Sequence, residues 1–226
     1  MTTHTLVCVL RSGGEYTPAH VRCLYQTVTR HWPIDGPALK FVALTDVRID
    51  MPGICEVPLR ADWPGWWAKL ELCRPDLVGS FLYCDLDTIV VRDPTTLWSV
   101  NDVTVLRDFY HRNLPTRQHL IGSGLMFMTD DARAAVWTAW QRSPLRAMTL
   151  HRARGDQAFL ETVWGTSPAK WQDVLPHAVC SYKVDVRRQS DRVPDGARIV
   201  CFHGQPRPWH TAFGQQHYAV ARDVSV

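Results

Sequence analysis

Two aspartates inside an apolar run carry the most legible chemistry in the chain. Asp85 and Asp87 sit within Phe81-Leu82-Tyr83-Cys84-Asp85-Leu86-Asp87-Thr88-Ile89-Val90-Val91. Both are ionised at neutral pH, and a charge set among apolar side chains needs a partner of opposite sign. On an extended chain side chains alternate, so the two carboxylates face the same way with their Cα atoms roughly 6–7 Å apart. Such a pair is a mount for a divalent cation that keeps open positions for a phosphate ligand. The same pair would also serve to begin a turn at a strand end. The run is bounded by Gly79-Ser80 and Asp93-Pro94 and predicts one continuous buried strand.

Other polar residues stand at the ends of apolar segments. Lys69 falls in the first turn of a helix expected from about Ala68 to Cys73, just ahead of the aspartate strand, where a cation would face phosphate. Gly155-Asp156-Gln157 opens a further helix, with Ala158, Phe159 and Val163 on its buried face; Asp156 alone would serve as its N-cap. His203-Gly204-Gln205-Pro206-Arg207-Pro208-Trp209-His210 is a rigid polar loop rather than a core element. The tryptophans of Trp63-Pro64-Gly65-Trp66-Trp67 read as core plugs.

The elements that must position these residues follow from periodicity. Thr5–Leu10 predicts a first strand, Arg11–Tyr16 a turn, and Thr17–His31 a helix capped by Thr17-Pro18, with Val21, Leu24, Tyr25 and Val28 on one face. Lys40–Thr45 predicts a second strand ending at Asp46, which makes a parallel crossover unit. Ligands in such sheets sit at the carboxyl ends of strands. The loop from Leu10 and Arg11 to Tyr16, and Asp46 beside it, are therefore candidate ligand contacts. Arg11-Ser12-Gly13-Gly14 has neither phosphate-loop nor dinucleotide-fingerprint spacing. Strands are further expected at Val103–Leu106, within Ile121–Met128 after its small residues, and at Arg198–Phe202, with a helix at Asp131–Gln141 and a ligand-side loop at His111–His119. The expectation is an α/β protein with a mostly parallel central sheet flanked by helices, forming a single domain over residues 1–226.

Composition bounds the rest. With 226 residues, 46% hydrophobic and 21% charged, the chain can bury a substantial core. No apolar stretch is long enough to span a bilayer, and the start lacks a signal-peptide pattern. The seven cysteines are scattered without a C-x-x-C pair, as in a reducing, cytoplasmic protein. A net charge of +3 does not by itself call for nucleic acid.

The ordered set of segments resembles nucleotide-sugar glycosyltransferases of the GT-A (Rossmann-like) fold, and among them glycosyltransferase family 8, which includes glycogenin and bacterial lipopolysaccharide galactosyltransferases. The matching pieces are the first loop ending in Tyr16, Trp67-Ala68-Lys69-Leu70-Glu71, Asp85-Leu86-Asp87, Ser123-Gly124, Gly155-Asp156-Gln157 and Gly204-Gln205-Pro206-Arg207-Pro208-Trp209. The resemblance implies that Tyr16 stacks on the nucleobase with Asp46 nearby, and that Lys69 binds the nucleotide. It implies that Asp85 and Asp87 hold Mn2+ (or Mg2+) on the diphosphate, with Leu86 between them in the donor site. Asp156 and Gln157 would contact the donor sugar, and Arg207, in place of the usual lysine, the leaving diphosphate in the loop of Gly204 and Trp209. The family's third metal ligand is a histidine at the position of Cys201; His203, next to Gly204, is the replacement expected here. Gly122 stands where the family has asparagine.

The implied reaction is transfer from a nucleoside diphosphate sugar, a UDP-sugar, to an acceptor hydroxyl with retention; if the enzyme inverts, Asp156 or Asp108 would be the base. The acceptor is a bacterial glycan such as lipopolysaccharide, or a hydroxymethylated DNA base if Arg107, Arg112, Arg117, Arg152, Arg154, Arg187 and Arg188 line one cleft. The rivals are a metal-dependent nucleotidyltransferase and a non-catalytic sugar-binding module. Nothing in the sequence sets the oligomeric state.

Overall fold

The computed structural model describes residues 2–110 and 120–218. The chain begins with β1 (Thr3–Leu10), α1 (Pro18–His31) and β2 (Ala38–Thr45), the expected parallel crossover, with every residue of β1 paired from Thr3 opposite Ala38 to Leu10 opposite Thr45. Thr17 caps α1 in the extended conformation and its N–H donates to His20 Nδ1 at 2.9 Å. Next come β3 (Ile54–Pro58), a 3-10 run over Gly65–Cys73, β4 (Phe81–Cys84) and β5 (Thr88–Val90). They are followed by β6 (Thr104–Arg107), β7 (Ile121–Met128), α2 (Asp130–Arg142), α3 (Pro144–Leu150) and α4 (Gly155–Trp164). The short strands β8 (Ala169–Lys170), β9 (Val179–Ser181) and β10 (Ile199–Cys201) close the order.

Seven strands form the large sheet in the order β3-β2-β1-β4-β7-β6-β8. β7 pairs antiparallel with both neighbours, and all other pairings are parallel. Alternation along β1 feeds two cores: Leu6, Cys8 and Leu10 pack with Val21, Leu24 and Val28 of α1, whereas Val7 packs on the opposite face with Trp67, Val136, Trp140 and Phe159. β5, β10 and β9 make a separate three-stranded sheet. Its inner residues, with Tyr182, Phe202 and Phe213, form a third cluster.

The expected continuous strand from Phe81 to Val91 is instead two strands in two sheets. β4 pairs with β1 and β7, β5 pairs with β10, and the chain turns between them, with Thr88 N–H donating to the Asp85 carbonyl at 3.1 Å. Both halves are buried, so their apolar character does not mark the break. The helix expected at Ala68–Cys73 is a 3-10 run beginning at Gly65. Neither β3 nor α3 is among the expected elements. The loop expected at His111–His119 lies outside the described residues. Among the described residues no helix is long and apolar enough to cross a membrane, and none of the seven cysteines is in a disulfide, with only Cys55 exposed.

A buried ion pair fixes the 3-10 run. Glu71 and Arg74 are almost inaccessible, and Arg74 Nη1 donates to Glu71 Oε2 at 2.7 Å. The same carboxylate accepts from the backbone N–H of Arg60 at 2.7 Å and of Ala61 at 2.9 Å. Removing one partner leaves a buried, uncompensated charge, which is costly whatever the net worth of the intact pair. Glu71→Ala is therefore expected to lower stability by about 3–5 kcal/mol. Urea unfolding followed by circular dichroism would read this as a fall in midpoint at constant slope.

Candidate active site

Strand ends bring the expected residues to the carboxyl edge of the large sheet. Asp85 follows directly on β4; its N–H donates to the Gly124 carbonyl of β7 at 2.8 Å. Its carboxylate accepts from the Tyr83 hydroxyl at 2.5 Å and pairs with Lys69 Nζ at 2.9 Å. Gly124 is needed beside it, since a Cβ there would lie 3.1 Å from Asp85 Oδ2. Asp87 is buried and pairs with Arg207, whose other terminal nitrogen pairs with Glu15. Lys69 also reaches Asp156 at 3.5 Å and Ser123 Oγ at 3.2 Å. Asp156 is not the cap of α4: it lies in its first turn, and its carboxylate accepts from Ser123 Oγ at 2.5 Å. Gln157 Oε1 accepts from the Ser123 N–H at 3.3 Å.

A line of contacts therefore runs across the sheet edge. The Arg207 guanidinium lies 5.2 Å over the Tyr16 ring, and the edge of that ring meets Trp209 at 5.8 Å. From Arg207 the line passes through Asp87 and its neighbour Asp85 to Lys69 and Asp156.

Charge in this line does not balance. The carboxylates of Glu15, Asp85, Asp87 and Asp156 share the two cations Lys69 and Arg207. Burial raises the pKa of Asp87, and the neighbouring Asp85 raises it further, against Arg207 and Lys69. Burial raises that of Asp156 too, against Lys69 and the Ser123 hydroxyl. Burial pulls Lys69 down, but Asp156 and Asp85 outweigh it and hold the ammonium above its ordinary value. The surplus negative charge and the oxygen donors of Asp85 and Asp87 fit a hard divalent cation.

His203 does not join these carboxylates. Its Nε2 lies 2.6 Å from Ser181 Oγ, its ring stacks on Phe109 at 5.1 Å, and its backbone has φ of +39°. Burial and the nearby Lys183 lower its pKa to about 4, so the ring is neutral at physiological pH. Among the described residues no three His, Cys, Asp or Glu side chains come together as a metal site. The expected third ligand is thus absent from this arrangement, because the backbone at residue 203 turns the imidazole toward β9.

At the other end, Asp46 accepts from Ser12 N–H at 2.8 Å, from Ser12 Oγ at 2.5 Å and from Arg11, which also pairs with Asp62. These donors are turned into the loop rather than outward as a triphosphate cradle, which weighs against the nucleotidyltransferase rival. The side chains of Leu10 and Leu86 belong to the core; the Leu86 carbonyl accepts from the Tyr218 hydroxyl at 2.5 Å. Gly204, with φ of +91°, follows His203 into the loop that carries Arg207 and Trp209. Among the arginines expected near an acceptor, Arg107 pairs with Asp173 and Arg154 with Glu161 at 2.7 Å; Arg112 and Arg117 lie outside the described residues. Sequence reasoning placed Glu15 in the candidate loop and Ser123 in a matching motif but gave neither a role, and it missed Tyr83 as a site residue. Tyr83 had a signal, since it lies two residues before Asp85 on one strand face.

Comparison with known proteins bears on this site. A family model of nucleotide-diphospho-sugar transferases matches residues 76–205, more than half of the chain. Among solved structures, the glycosyltransferase GlyE of Streptococcus pneumoniae TIGR4 superposes with a TM-score of 0.62 at 15% identity, over 93% of this chain and 57% of GlyE. The chain thus spans little more than half of that relative. The galactosyltransferase LgtC, solved with donor and acceptor sugar analogues, gives 0.61 at 13% identity, over 96% of this chain and 93% of LgtC. The bifunctional glycosyltransferase WbbM gives 0.63 at 11% identity, over 96% of this chain and 50% of WbbM. At these identities the likeness is one of fold. A search of curated protein sequences finds no match.

Lys69→Met tests the charge balance directly. In metal-free protein at neutral pH it is expected to cost about 3–5 kcal/mol, because Asp85 and Asp156 lose their shared cation. The sign of the pH dependence follows from Asp156, whose carboxyl already holds its proton to higher pH than in the unfolded chain. Protonation of the variant then favours the folded state, so the deficit should shrink as pH falls toward about 4. Denaturant melts of both proteins across pH would show this as converging midpoints.

Proposed function

The chain belongs to the nucleotide-diphospho-sugar transferase family, and from that premise we propose that it moves a sugar from a UDP-sugar to a glycan hydroxyl with retention of configuration. The observation that carries this reading is the ordered line Tyr16–Arg207–Asp87–Asp85–Lys69–Asp156, which has an aromatic ring at one end, cations in the middle and a carboxylate at the other end. In this reading residues 1–226 act as one GT-A domain in the cytoplasm.

Tyr16 packs against the base, and Asp46 holds the loop that carries it. Arg207 and Lys69 receive the diphosphate, each exchanging a carboxylate for a phosphate oxygen. Their charges matter most as the anomeric bond breaks and negative charge gathers on the leaving group. Asp85 and Asp87 would hold a Mn2+ or Mg2+ ion, which supplies Lewis-acid stabilisation of that same charge. His203 would become a third ligand only by leaving Ser181. Asp156, kept in place by Ser123 and Lys69, stands beside the sugar position and stabilises positive charge at the anomeric carbon. Gln157 is anchored to the Ser123 N–H and orients the sugar hydroxyls. With retention, the leaving phosphate oxygen takes the acceptor proton, and no separate base is required.

A neutral glycan acceptor suits the site better than DNA, because Arg107 and Arg154 are held in internal ion pairs. The test is incubation with a panel of nucleotide sugars, simple glycans and Mn2+, with release of nucleoside diphosphate and the anomeric NMR signal of the product as readouts. A UDP-sugar should be consumed, and Asp87→Ala should reduce turnover by about 100-fold or more. Full activity in Asp87→Ala, or no nucleotide release from any donor, would remove the proposal.

A further inference from the structure

The segment Trp63–Trp67 places its tryptophans differently. Trp67 is buried and stacks on Trp140 at 5.5 Å, and Trp63 packs edge-on against the same ring at 5.0 Å. Trp66 is 52% exposed, and its indole N–H donates to no group among the described residues. An exposed indole with an unused donor contributes nothing to the core that its neighbours build.

Its position is fixed from two sides. In a 3-10 helix residues three apart eclipse each other, so Trp66 lies on the same edge as Lys69, at the start of the run. Lys69 points inward to Asp85 and Asp156, and Trp66 stands outside it. On the other side the indole lies directly against the backbone of Gly155. A Cβ at that residue would sit 2.4 Å from Trp66 Nε1 and 2.6 Å from its Cε2. Gly155 also has φ of +60°, so both space and conformation require glycine there. The next two residues are Asp156 and Gln157.

Trp66 therefore extends the line of contacts at the end away from Tyr16. Tyr16 marks the nucleotide end, Arg207 and Asp87 follow, and Lys69 and Asp156 flank the position of the transferred sugar. Whatever meets Trp66 lies beyond that sugar. Resting on the transferase reading above, we propose that Trp66 is the platform on which the acceptor sugar stacks, and that the acceptor is a pyranose presenting an uninterrupted C–H face. The electron-rich face of an indole attracts polarised C–H groups, and its free N–H supplies a donor to a ring hydroxyl at the rim. A furanose, a nucleobase edge or a bare alcohol would not match both features. The platform sets which acceptors are used without touching the anomeric carbon.

The test uses the whole chain saturated with UDP and Mn2+, titrated with methyl β-galactopyranoside, methyl α-glucopyranoside, lactose and maltose. The indole N–H resonance of Trp66 is assigned by its loss in Trp66→Phe. It is expected to move with at least one of these sugars. For transfer to that sugar, Trp66→Ala should raise the acceptor KM by about tenfold or more, with Trp66→Phe in between. UDP affinity, measured by calorimetry, should be unchanged in both variants and serves as the check on folding. An indole signal that no pyranoside moves, or an acceptor KM unaltered in Trp66→Ala, would overturn the proposal. A wild-type protein that releases nucleotide from no donor would instead remove the transferase reading, and the indole signal would still decide the role of Trp66.

Discussion

A single ammonium group holds the centre of this protein together. Lys69 lies between Asp85 and Asp156 and touches the hydroxyl of Ser123, so three elements converge on one charge. The end of β4 leads into Asp85, β7 supplies Ser123 and α4 supplies Asp156, and the two carboxylates could not sit so close without a cation between them. The 3-10 run that carries Lys69 is itself pinned by the Glu71–Arg74 pair, two residues further along. The structural ion pair and the functional one therefore share a scaffold. The scaffold is tied on both sides, but its charge is under-compensated, with four carboxylates sharing two cations.

The second cation does a different job. Arg207 joins Glu15, in the loop after β1, to Asp87, in the turn before β5, and lies over Tyr16. Segments far apart in sequence are thereby tied together. The two cations divide the cluster: Lys69, on the 3-10 run, gathers Asp85 and Asp156, and Arg207, in the loop after β10, gathers Glu15 and Asp87. An arginine at 207 offers a planar fork that serves two carboxylates at once, which the point charge of a lysine could not do as directionally.

Much of this was legible in the sequence where local periodicity decided the structure. β1, α1 and β2 follow from alternation, a Thr-Pro cap and a helical stripe, and the strand expected after Ser123-Gly124 forms as β7, which already begins at Ile121. The order of short polar motifs led to the fold class and to the residues that gather at the sheet edge. What was not legible depended on partners distant in sequence. The apolar run from Phe81 to Val91 looks continuous because both halves are buried, and only pairing reveals that they enter different sheets. β3 escaped notice because it lies at a sheet edge with Cys55 and Glu56 exposed, so it lacks an apolar signature. The direction of the His203 ring is set by one left-handed backbone angle, which residue type does not announce.

The turn between β4 and β5 has one more consequence. Asp85 is clamped to the large sheet through the Gly124 carbonyl at 2.8 Å, and the Asp87 carbonyl is tied to Phe202 beside β10 at 3.3 Å. The backbone spacing of the two aspartates is therefore set by how the two sheets dock, on top of the side-chain partners that hold each carboxylate. The side chains beneath this joint, Cys84, Val90 and Cys201, belong to one apolar cluster. Substitutions in the packing under the turn can therefore move one aspartate relative to the other while leaving both residues in place.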